Sequence, residues 1–411
     1  MIASLFDHLD ASVSPSHSVA HASGRLSSAG FSMISSITAS LPDRGFMARG
    51  GLLVAWVRGS KPEFRVVGAH TDSPTLRVKP SPVIRRAGWS QWSIEVYGGI
   101  LNNSWLDRDL GIAGVIIDTE GRRHLVRSPH PVARVPQLAV HLDRDVNDKG
   151  LVLNRQMHLT PVVSASDDTS SFIDVIASWS GLDANSIVAH ELSLFDCQPA
   201  ALIGLDEDLV ASGRIDNQVS CWAAVEALIA LDEGDADRPT SVIALFDHEE
   251  VGSSSVVGAS GPWLEWILES LHGGDRHSFH VALSSSACLS ADGAHGVHPN
   301  YPDRHDSSHG PHLGNGPVLK INANQRYATS VETAALFSGS CEKAGISHQT
   351  FVSRNDMPCG STIGPLASTR LGIPTADVGV AQLSMHSVRE VCHRDDPEAL
   401  RRVLKEFLIA D

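Results

Sequence analysis

The segment from Ser241 to Ser255 constrains this chain most, because an apolar run leads directly into two adjacent carboxylates. Val242 to Phe246 has the length and composition of a short buried strand. Glu249 and Glu250 follow, and then a glycine and three serines. In an open α/β sheet the ligand crevice lies at the carboxyl ends of the strands. The segment therefore predicts a strand that delivers two acids to an active site, although a solvated acidic turn has the same local pattern.

Three further apolar runs also end in residues that bind metals or transfer protons. The residues at their carboxyl ends are His70 with Asp72, Asp292, and His386. A shorter piece places Asp216 immediately before a helical pattern. Two histidines and three carboxylates suit a pair of divalent ions, and zinc is the usual choice for mixed nitrogen and oxygen ligands. The sequence therefore predicts a two-metal site at the ends of these strands.

The two ends of the chain, 1–81 and 206–411, predict one α/β domain. Neighbouring strands are predicted at Gly50 to Arg58 and Phe64 to Ala69, and helices at Gln218 to Leu231 and Trp263 to Leu271. Residues 82–205 differ, because their apolar runs are short and alternating and helical patterns are rare. The runs are Trp92 to Val96, Ile112 to Ile117, His124 to Val126 and Leu138 to Leu142, with one helix at Phe172 to Trp179. We therefore predict a β-rich domain inserted into the α/β domain.

Composition excludes several classes of protein. The chain has 411 residues, 42% of them hydrophobic, which is enough for a large core. Its formal charge of −15 argues against binding of nucleic acid, because such binding needs a basic surface. The six cysteines lack close pairs, which indicates reduced thiols and a cytoplasmic protein. The N-terminal residues lack the pattern of a signal peptide, and no apolar run is long enough to span a membrane.

Other chemistries have weaker support. Gly252 begins a serine-rich stretch, but Val256 stands where the closing glycine of a nucleophile elbow would be. Cys359 could act as a thiol nucleophile, although a buried inert cysteine is the commoner case. The segment from His295 to Pro317 lacks periodicity and contains five histidines. Loops this long are usually functional or mobile, and His295 is the best candidate because it lies three residues after Asp292.

A series of sequence motifs, which together extend over nearly the whole chain, resembles the motifs of a known family. They are Leu5 to Leu9, Ser14 to His17, Gly68 to Lys79, Trp105 to Gly111, Ser212 to Asn217, Phe246 to Ser253, Ser290 to Asp292, His298 to Tyr301, Gly316 to Tyr327, Asp356 to Pro365 and Met385 to Glu390. In this order they resemble the aspartyl aminopeptidases, which are dinuclear zinc exopeptidases. The resemblance implies an α/β fold, with a mixed-sheet zinc-exopeptidase catalytic domain and an inserted β-rich dimerisation domain.

The resemblance also implies roles for the predicted site residues. The ligands would be His70, Asp216 and Asp292 for one ion, and Asp216, Glu250 and His386 for the other, with Asp216 bridging the two. The ions would be Zn²⁺, with Co²⁺ and Mn²⁺ as alternatives. Glu249 would be the general base. Asp72 would hydrogen-bond the second ring nitrogen of His70 and so fix its tautomer.

Substrate and assembly follow from the same resemblance. It implies peptides with N-terminal Asp or Glu as substrates and a homo-oligomer, commonly a dodecamer. Lys320 would attract the acidic side chain, although its pattern alone favours a lysine at a strand edge. His141 would reach into a neighbouring subunit's site, although its pattern alone favours the polar face of a strand. Further substrate contacts are implied for His295, Met357 and Gly360.

Two other functions stay open. One is a dinuclear aminopeptidase of other specificity, or a carboxypeptidase or deacylase with the same metal site. The other is a catalytically silent scaffold or cargo protein, which would be expected to lack a ligand or the base. In this sequence the five predicted ligands and the base are all present.

Overall fold

A computed structural model of the chain describes residues 2–38, 40–166, 171–232 and 237–410. Within these ranges the strands, in chain order, are β1 (Ser32–Met33), β2 (Arg44–Arg49), β3 (Leu52–Val57), β4 (Phe64–His70), β5 (Thr75–Arg86), β6 (Trp89–Tyr97), β7 (Leu110–Asp118), β8 (Arg123–Arg127), β9 (Val162–Ser164), β10 (Ile187–Asp196), β11 (Ala201–Ile203), β12 (Leu209–Ser212), β13 (Thr240–Phe246), β14 (Ala287–Ala291), β15 (Ala294–His295), β16 (Val318–Ile321), β17 (Gln349–Val352), β18 (Thr375–Gly379), β19 (Ala381–Leu383) and β20 (Glu390–His393). The α-helices are α1 (Ile2–Ala11), α2 (Pro15–Ser28), α3 (Val146–Lys149), α4 (Arg155–His158), α5 (Phe172–Ser180), α6 (Ile215–Ile229), α7 (Trp263–His272), α8 (Arg276–Ser284), α9 (Val331–Ala344), α10 (Ile363–Leu371) and α11 (Asp396–Leu408).

A nine-stranded mixed sheet forms the centre of the molecule, in the order β1-β2-β3-β13-β4-β14-β18-β16-β17. The four strands β13, β4, β14 and β18 run parallel to one another, so their carboxyl ends lie at one edge. The strands flanking this group, β3 and β16, run antiparallel to it. The predicted α/β fold with a mixed sheet is confirmed.

Both faces of this sheet are covered by helices. Along β3, Leu53, Ala55 and Val57 pack with α1, α2, α6, α9 and α11, while the alternate residues pack with α7 and α8 on the other face. Side chains that alternate between two apolar layers explain why these strands are nearly continuous hydrophobic runs. Each fully buried large side chain contributes about 1.5–3 kcal/mol by its removal from water.

One predicted neighbourhood in this sheet is wrong. We expected the strands now numbered β3 and β4 to be neighbours, but β13 lies between them. It pairs antiparallel with β3 and parallel with β4. Sequence proximity favoured the simpler arrangement, whereas the structure inserts a strand that begins at Thr240.

A separate six-stranded antiparallel sheet has the order β8-β7-β10-β5-β6-β9 and packs with α5. Its strand β5 begins at Thr75 and ends at Arg86, so it runs across the predicted boundary at residue 82. The division into two domains stays a prediction.

The predicted strand at Leu138 to Leu142 is wrong, because this stretch lies in a coil and turn with Leu138, Val140 and Leu142 exposed. Residues 138–142 pair with none of the strands that the structure describes.

A small third sheet, β11-β12-β20-β19-β15, adjoins the carboxyl edge of the nine-stranded sheet. The strands β18 and β19 follow each other with one residue between them, so the chain passes directly from one sheet to the other. The six cysteines are all free. Of the helices that the structure describes, none combines the length and the apolar character needed to cross a bilayer.

Candidate active site

The carboxyl ends of the central parallel strands bring most of the predicted site residues together. His70 is the last residue of β4, and Asp72 lies two residues beyond it. Asp292 follows β14 directly, and Glu249 and Glu250 begin a short turn after β13. Since the strands are adjacent and parallel, their loops meet at one point of the edge.

Asp216 and His386 reach the same point from irregular backbone. Asp216 lies at the start of α6, just after Arg214, which has a left-handed φ of 61°. His386 does not follow β18 directly, as predicted, but lies in the turn between β19 and β20 with a φ of 66°. Left-handed backbone is uncommon outside glycine and persists where the surrounding structure fixes it.

The two histidines face the two oxygens of Asp216. The Nε2 atom of His70 lies 3.4 Å from Asp216 Oδ1 and 3.4 Å from Asp292 Oδ1. The Nε2 atom of His386 lies 3.6 Å from Asp216 Oδ2 and 3.4 Å from Glu250 Oε2. One set of three potential ligands is therefore His70, Asp216 and Asp292, and a second is Asp216, Glu250 and His386. Asp216 belongs to both sets.

The donor atoms fit a pair of divalent cations. The Nδ1 atom of His70 lies 3.0 Å from the Asp72 carbonyl oxygen, and that of His386 lies 3.1 Å from the Gly99 carbonyl oxygen. A ring that donates from Nδ1 presents the Nε2 lone pair to a metal. Among the described residues, buried Asp216 Oδ1 and Glu250 Oε1 have no hydrogen-bond partner. Mixed imidazole and carboxylate ligands of this kind are typical of zinc sites.

Asp72 lies against the second ring nitrogen of His70 and makes further contacts that the sequence did not indicate. The group nearest to His70 Nδ1 is the Asp72 carbonyl at 3.0 Å, whereas the Asp72 carboxylate lies 3.4 Å away. The carboxylate accepts hydrogen bonds from the backbone N–H groups of Glu249 and Glu250, each at 3.1 Å. It also accepts one from the Tyr97 hydroxyl at 2.7 Å. Asp72 therefore positions the two neighbouring glutamates as well as the histidine.

The two glutamates occupy different positions. Glu250 groups with Asp216 and His386, whereas Glu249 groups with His70 and Glu250 and not with Asp216 or His386. Both glutamates line the cavity of the site. Burial, opposed by His70 and reinforced by the carboxylates of Asp292 and Asp216, raises the pKa of Glu249 to about 8. A carboxylate with a pKa near neutrality is suited to accept a proton and return it.

The predicted substrate residues fall into three groups. His295, Lys320 and Gly360 line a cavity of about 470 Å³ together with the metal-ligand candidates. Met357 instead lines an adjoining cavity of about 310 Å³, which shares His295 with the first. His141 is exposed and is not among the described residues that line either cavity of its own chain.

Lys320 is a buried cation at the wall of the larger cavity. It is 1% exposed, and its Nζ atom donates to the Gly293 carbonyl at 2.7 Å. The same atom lies 3.5 Å from Asp292 Oδ2 and 5.3 Å from the centre of the Tyr327 ring. A lysine ammonium has three donors, so these contacts leave capacity for a further acceptor.

The sequence did not identify Glu390, which connects the two irregular ligand segments. Its carboxylate accepts from the Asp216 N–H at 2.9 Å and from the His386 N–H at 2.7 Å. Glu390 is 1% exposed, at the start of β20. The contact depends on the turn that precedes β20, and no local pattern of the sequence indicates it.

Comparison with known proteins gives consistent matches over the whole chain. The family model described as aminopeptidase I zinc metalloprotease (M18) matches residues 8–408. A Streptomyces coelicolor protein described as "Probable M18 family aminopeptidase 2" is 46% identical over 416 residues, covering 98% of this chain and 96% of that protein.

Solved structures match at the level of the fold as well. A chain of the cryo-EM structure of the Ape4 and Nbr1 complex has a TM-score of 0.94 at 33% identity, covering 100% of this chain and 87% of that chain. A chain of the S. cerevisiae mApe1 dodecamer has a TM-score of 0.85 at 27% identity, covering 99% of this chain and 95% of that chain.

Proposed function

The chain belongs to the M18 family of aminopeptidase I zinc metalloproteases, and on this premise we propose that it removes N-terminal Asp and Glu from peptides. His70, Asp216 and Asp292 would hold one zinc ion, and Asp216, Glu250 and His386 would hold a second. The observation that carries this proposal is that the two sets of ligands share Asp216, whose two oxygens face different histidines.

Zinc held by these residues would supply Lewis acidity, which polarises a peptide carbonyl and lowers the pKa of bound water toward about 7. The chain's own residues do the proton transfer and the positioning. Glu249 takes a proton from the attacking water and gives it to the leaving amine. Asp72 holds the Glu249 backbone by accepting its N–H at 3.1 Å.

Acidic specificity requires local positive charge, because the whole chain carries a formal charge of −15. Lys320 supplies this charge in the cavity that contains the metal-ligand candidates. His295 and Gly360 line the same cavity, and we assign them contacts with the substrate. Met357 contacts the peptide from the adjoining cavity.

We further propose that the chain forms a homo-oligomer through residues 82–205, which would be a β-rich dimerisation domain. Support comes from the exposed apolar residues Leu138, Val140, Leu142, Val152 and Met157, since large apolar side chains exposed in one region mark an interaction surface. The related mApe1 of S. cerevisiae is a dodecamer. In such an assembly His141 enters the neighbouring subunit's site and contacts the substrate.

The proposal is tested by zinc analysis and by turnover of N-terminal Asp, Glu, Leu and Lys amides. We expect two zinc ions per subunit and a kcat/KM for Asp and Glu at least about tenfold above that for Leu and Lys. Faster turnover of Leu or Lys would identify an aminopeptidase of other specificity. Full zinc content without turnover of any of the four would favour a silent scaffold.

A further inference from the structure

The segment from Tyr97 to Leu101, which begins with the last residue of β6, contacts residues of the candidate metal site. Its first residue, Tyr97, is the last residue of β6 in the six-stranded sheet and pairs with Thr75 of β5. Tyr97 is 8% exposed, and the Arg77 guanidinium lies 4.4 Å from the centre of its ring. The segment is therefore anchored in a sheet that supplies none of the proposed metal ligands.

Two polar contacts join this segment to separate parts of the site. The Tyr97 hydroxyl donates to Asp72 Oδ2 at 2.7 Å, and the same oxygen accepts the Glu250 N–H at 3.1 Å. The Gly99 carbonyl oxygen lies 3.1 Å from His386 Nδ1. Through these contacts the segment orients one carboxylate that holds both glutamates and one imidazole ring.

Backbone contacts fix the segment against the same two ligands. The Leu101 N–H donates to the His386 carbonyl at 3.0 Å. A Cβ atom at Gly98 would lie 3.2 Å from the Glu250 Cβ, and one at Gly99 would lie 3.3 Å from His386 Nδ1. Both contacts are tighter than is usual for a Cβ atom, so a side chain at either position would displace Glu250 or His386 by a few tenths of an ångström.

We infer that Tyr97 and Gly99 are positioning residues, through which the six-stranded sheet holds Asp72 and His386 in the geometry that binds metal. The inference rests on the proposed two-zinc centre. Partners that orient metal ligands commonly change metal affinity or activity by about 10–100-fold when they are lost. The hydroxyl of Tyr97 and the carbonyl of Gly99 are such partners, and both come from outside the sheet that carries most of the ligands.

The first test removes only the hydroxyl, with Tyr97→Phe in the full chain. Zinc affinity is measured by titration of metal-free protein against a chromophoric chelator, and kcat and KM are measured separately. We expect zinc affinity and kcat each to fall about tenfold with KM within about twofold. The matched control is Tyr301→Phe, which removes a hydroxyl from a 56% exposed side chain and should change neither quantity.

A double variant separates positioning through Asp72 from a general structural effect. If Tyr97 acts through Asp72, Tyr97→Phe should add little to the loss caused by Asp72→Asn. Additive losses, or wild-type zinc affinity and kcat in Tyr97→Phe, would overturn the role of Tyr97. The zinc titration needs no substrate, so this result is independent of whether the acidic specificity proposed above is correct.

The second variant, Gly99→Ala, tests the contact with His386. Its added methyl group should displace the imidazole and weaken zinc binding, whereas Gly339→Ala in α9, where a Cβ meets no atom within 4 Å, should not. Circular dichroism establishes that each variant is folded. Unchanged zinc affinity in folded Gly99→Ala would mean that metal binding tolerates a shift of His386 against this segment, which would refute a positioning role for Gly99.

Discussion

The regions around His70 and His386 hold two similar imidazoles in different ways. His70 ends a regular buried strand, is 1% exposed and receives its orienting contact from Asp72, two residues along the chain. His386 lies in a turn with left-handed backbone, and its side chain is 30% exposed. One orienting contact comes from Gly99, which is distant along the chain. The other comes from Glu390, on the strand that follows the turn. One half of the site is thus built by a sheet and the other by tertiary contacts.

The largest effect is expected where the two halves meet. Asp216→Ala removes the ligand that both sets share and leaves each zinc ion only two protein ligands, so both ions should be lost and activity abolished. His386→Ala should instead lose mainly one ion. Zinc analysis of the purified variants provides the measurement, and two full equivalents in Asp216→Ala would exclude a bridging role.

The second prediction separates chemistry from metal binding. Glu249→Gln keeps the size of the side chain but removes the base, so zinc content should be unchanged while kcat falls at least about 100-fold. Glu342→Gln, on the exposed surface of α9, is the matched control and should turn over normally. Loss of one zinc ion from Glu249→Gln would mean that Glu249 is a ligand and that the roles of the two glutamates are reversed.

The same contrast explains how much could be predicted from the sequence. The strand-end residues His70, Asp292 and Glu250 were identifiable, because a buried apolar run marks a strand and parallel strands end at one edge. Sequence order could not reveal that β13 separates β3 from β4. The roles of Glu390 and Gly99 could not be predicted, because their contacts join segments that no periodic pattern relates.

Leu138 to Leu142 shows a second reason for failure. Its three alternating apolar residues, Leu138, Val140 and Leu142, predicted a strand, but all three are exposed in a coil and turn. An alternating apolar pattern indicates that side chains are buried, but it does not show what buries them. The same pattern fits a strand within a sheet and a surface that another chain covers. The proposed oligomer accounts for the pattern through contacts between chains.

The third prediction extends the comparison to a contribution from another chain. His141→Phe should lower activity strongly if His141 completes a neighbouring site. The loss should be about 10²–10³ in kcat if the contact of His141 stabilises the oxyanion on the scissile carbonyl. Mixing this variant with Glu249→Gln under conditions of subunit exchange should restore part of the activity, because some sites combine intact Glu249 with a donated His141. His130→Phe, also exposed, is the control for the substitution.

Complementation depends on exchange, which labelled subunits and native mass spectrometry can verify. Background activity in verified mixed oligomers would mean that His141 acts within its own chain or has no role. Normal activity of His141→Phe alone would show directly that His141 has no role in catalysis.

The smallest expected effect concerns substrate specificity. The prediction tests whether Lys320, the buried cation beside Asp292, selects the substrate. Lys320→Met keeps the apolar stem and removes the charge that lies 3.5 Å from Asp292 Oδ2. Because a hydrogen bond to a charged group is worth about 1.5–3 kcal/mol, KM for N-terminal Asp substrates should rise at least about tenfold. KM for Leu substrates should stay within about twofold, since they lack the carboxylate. Lys343→Met, exposed on α9, is the matched control. Equal losses on Asp and Leu substrates would instead mean that Lys320 serves to support Asp292 and the Gly293 carbonyl, and that acidic specificity has another source.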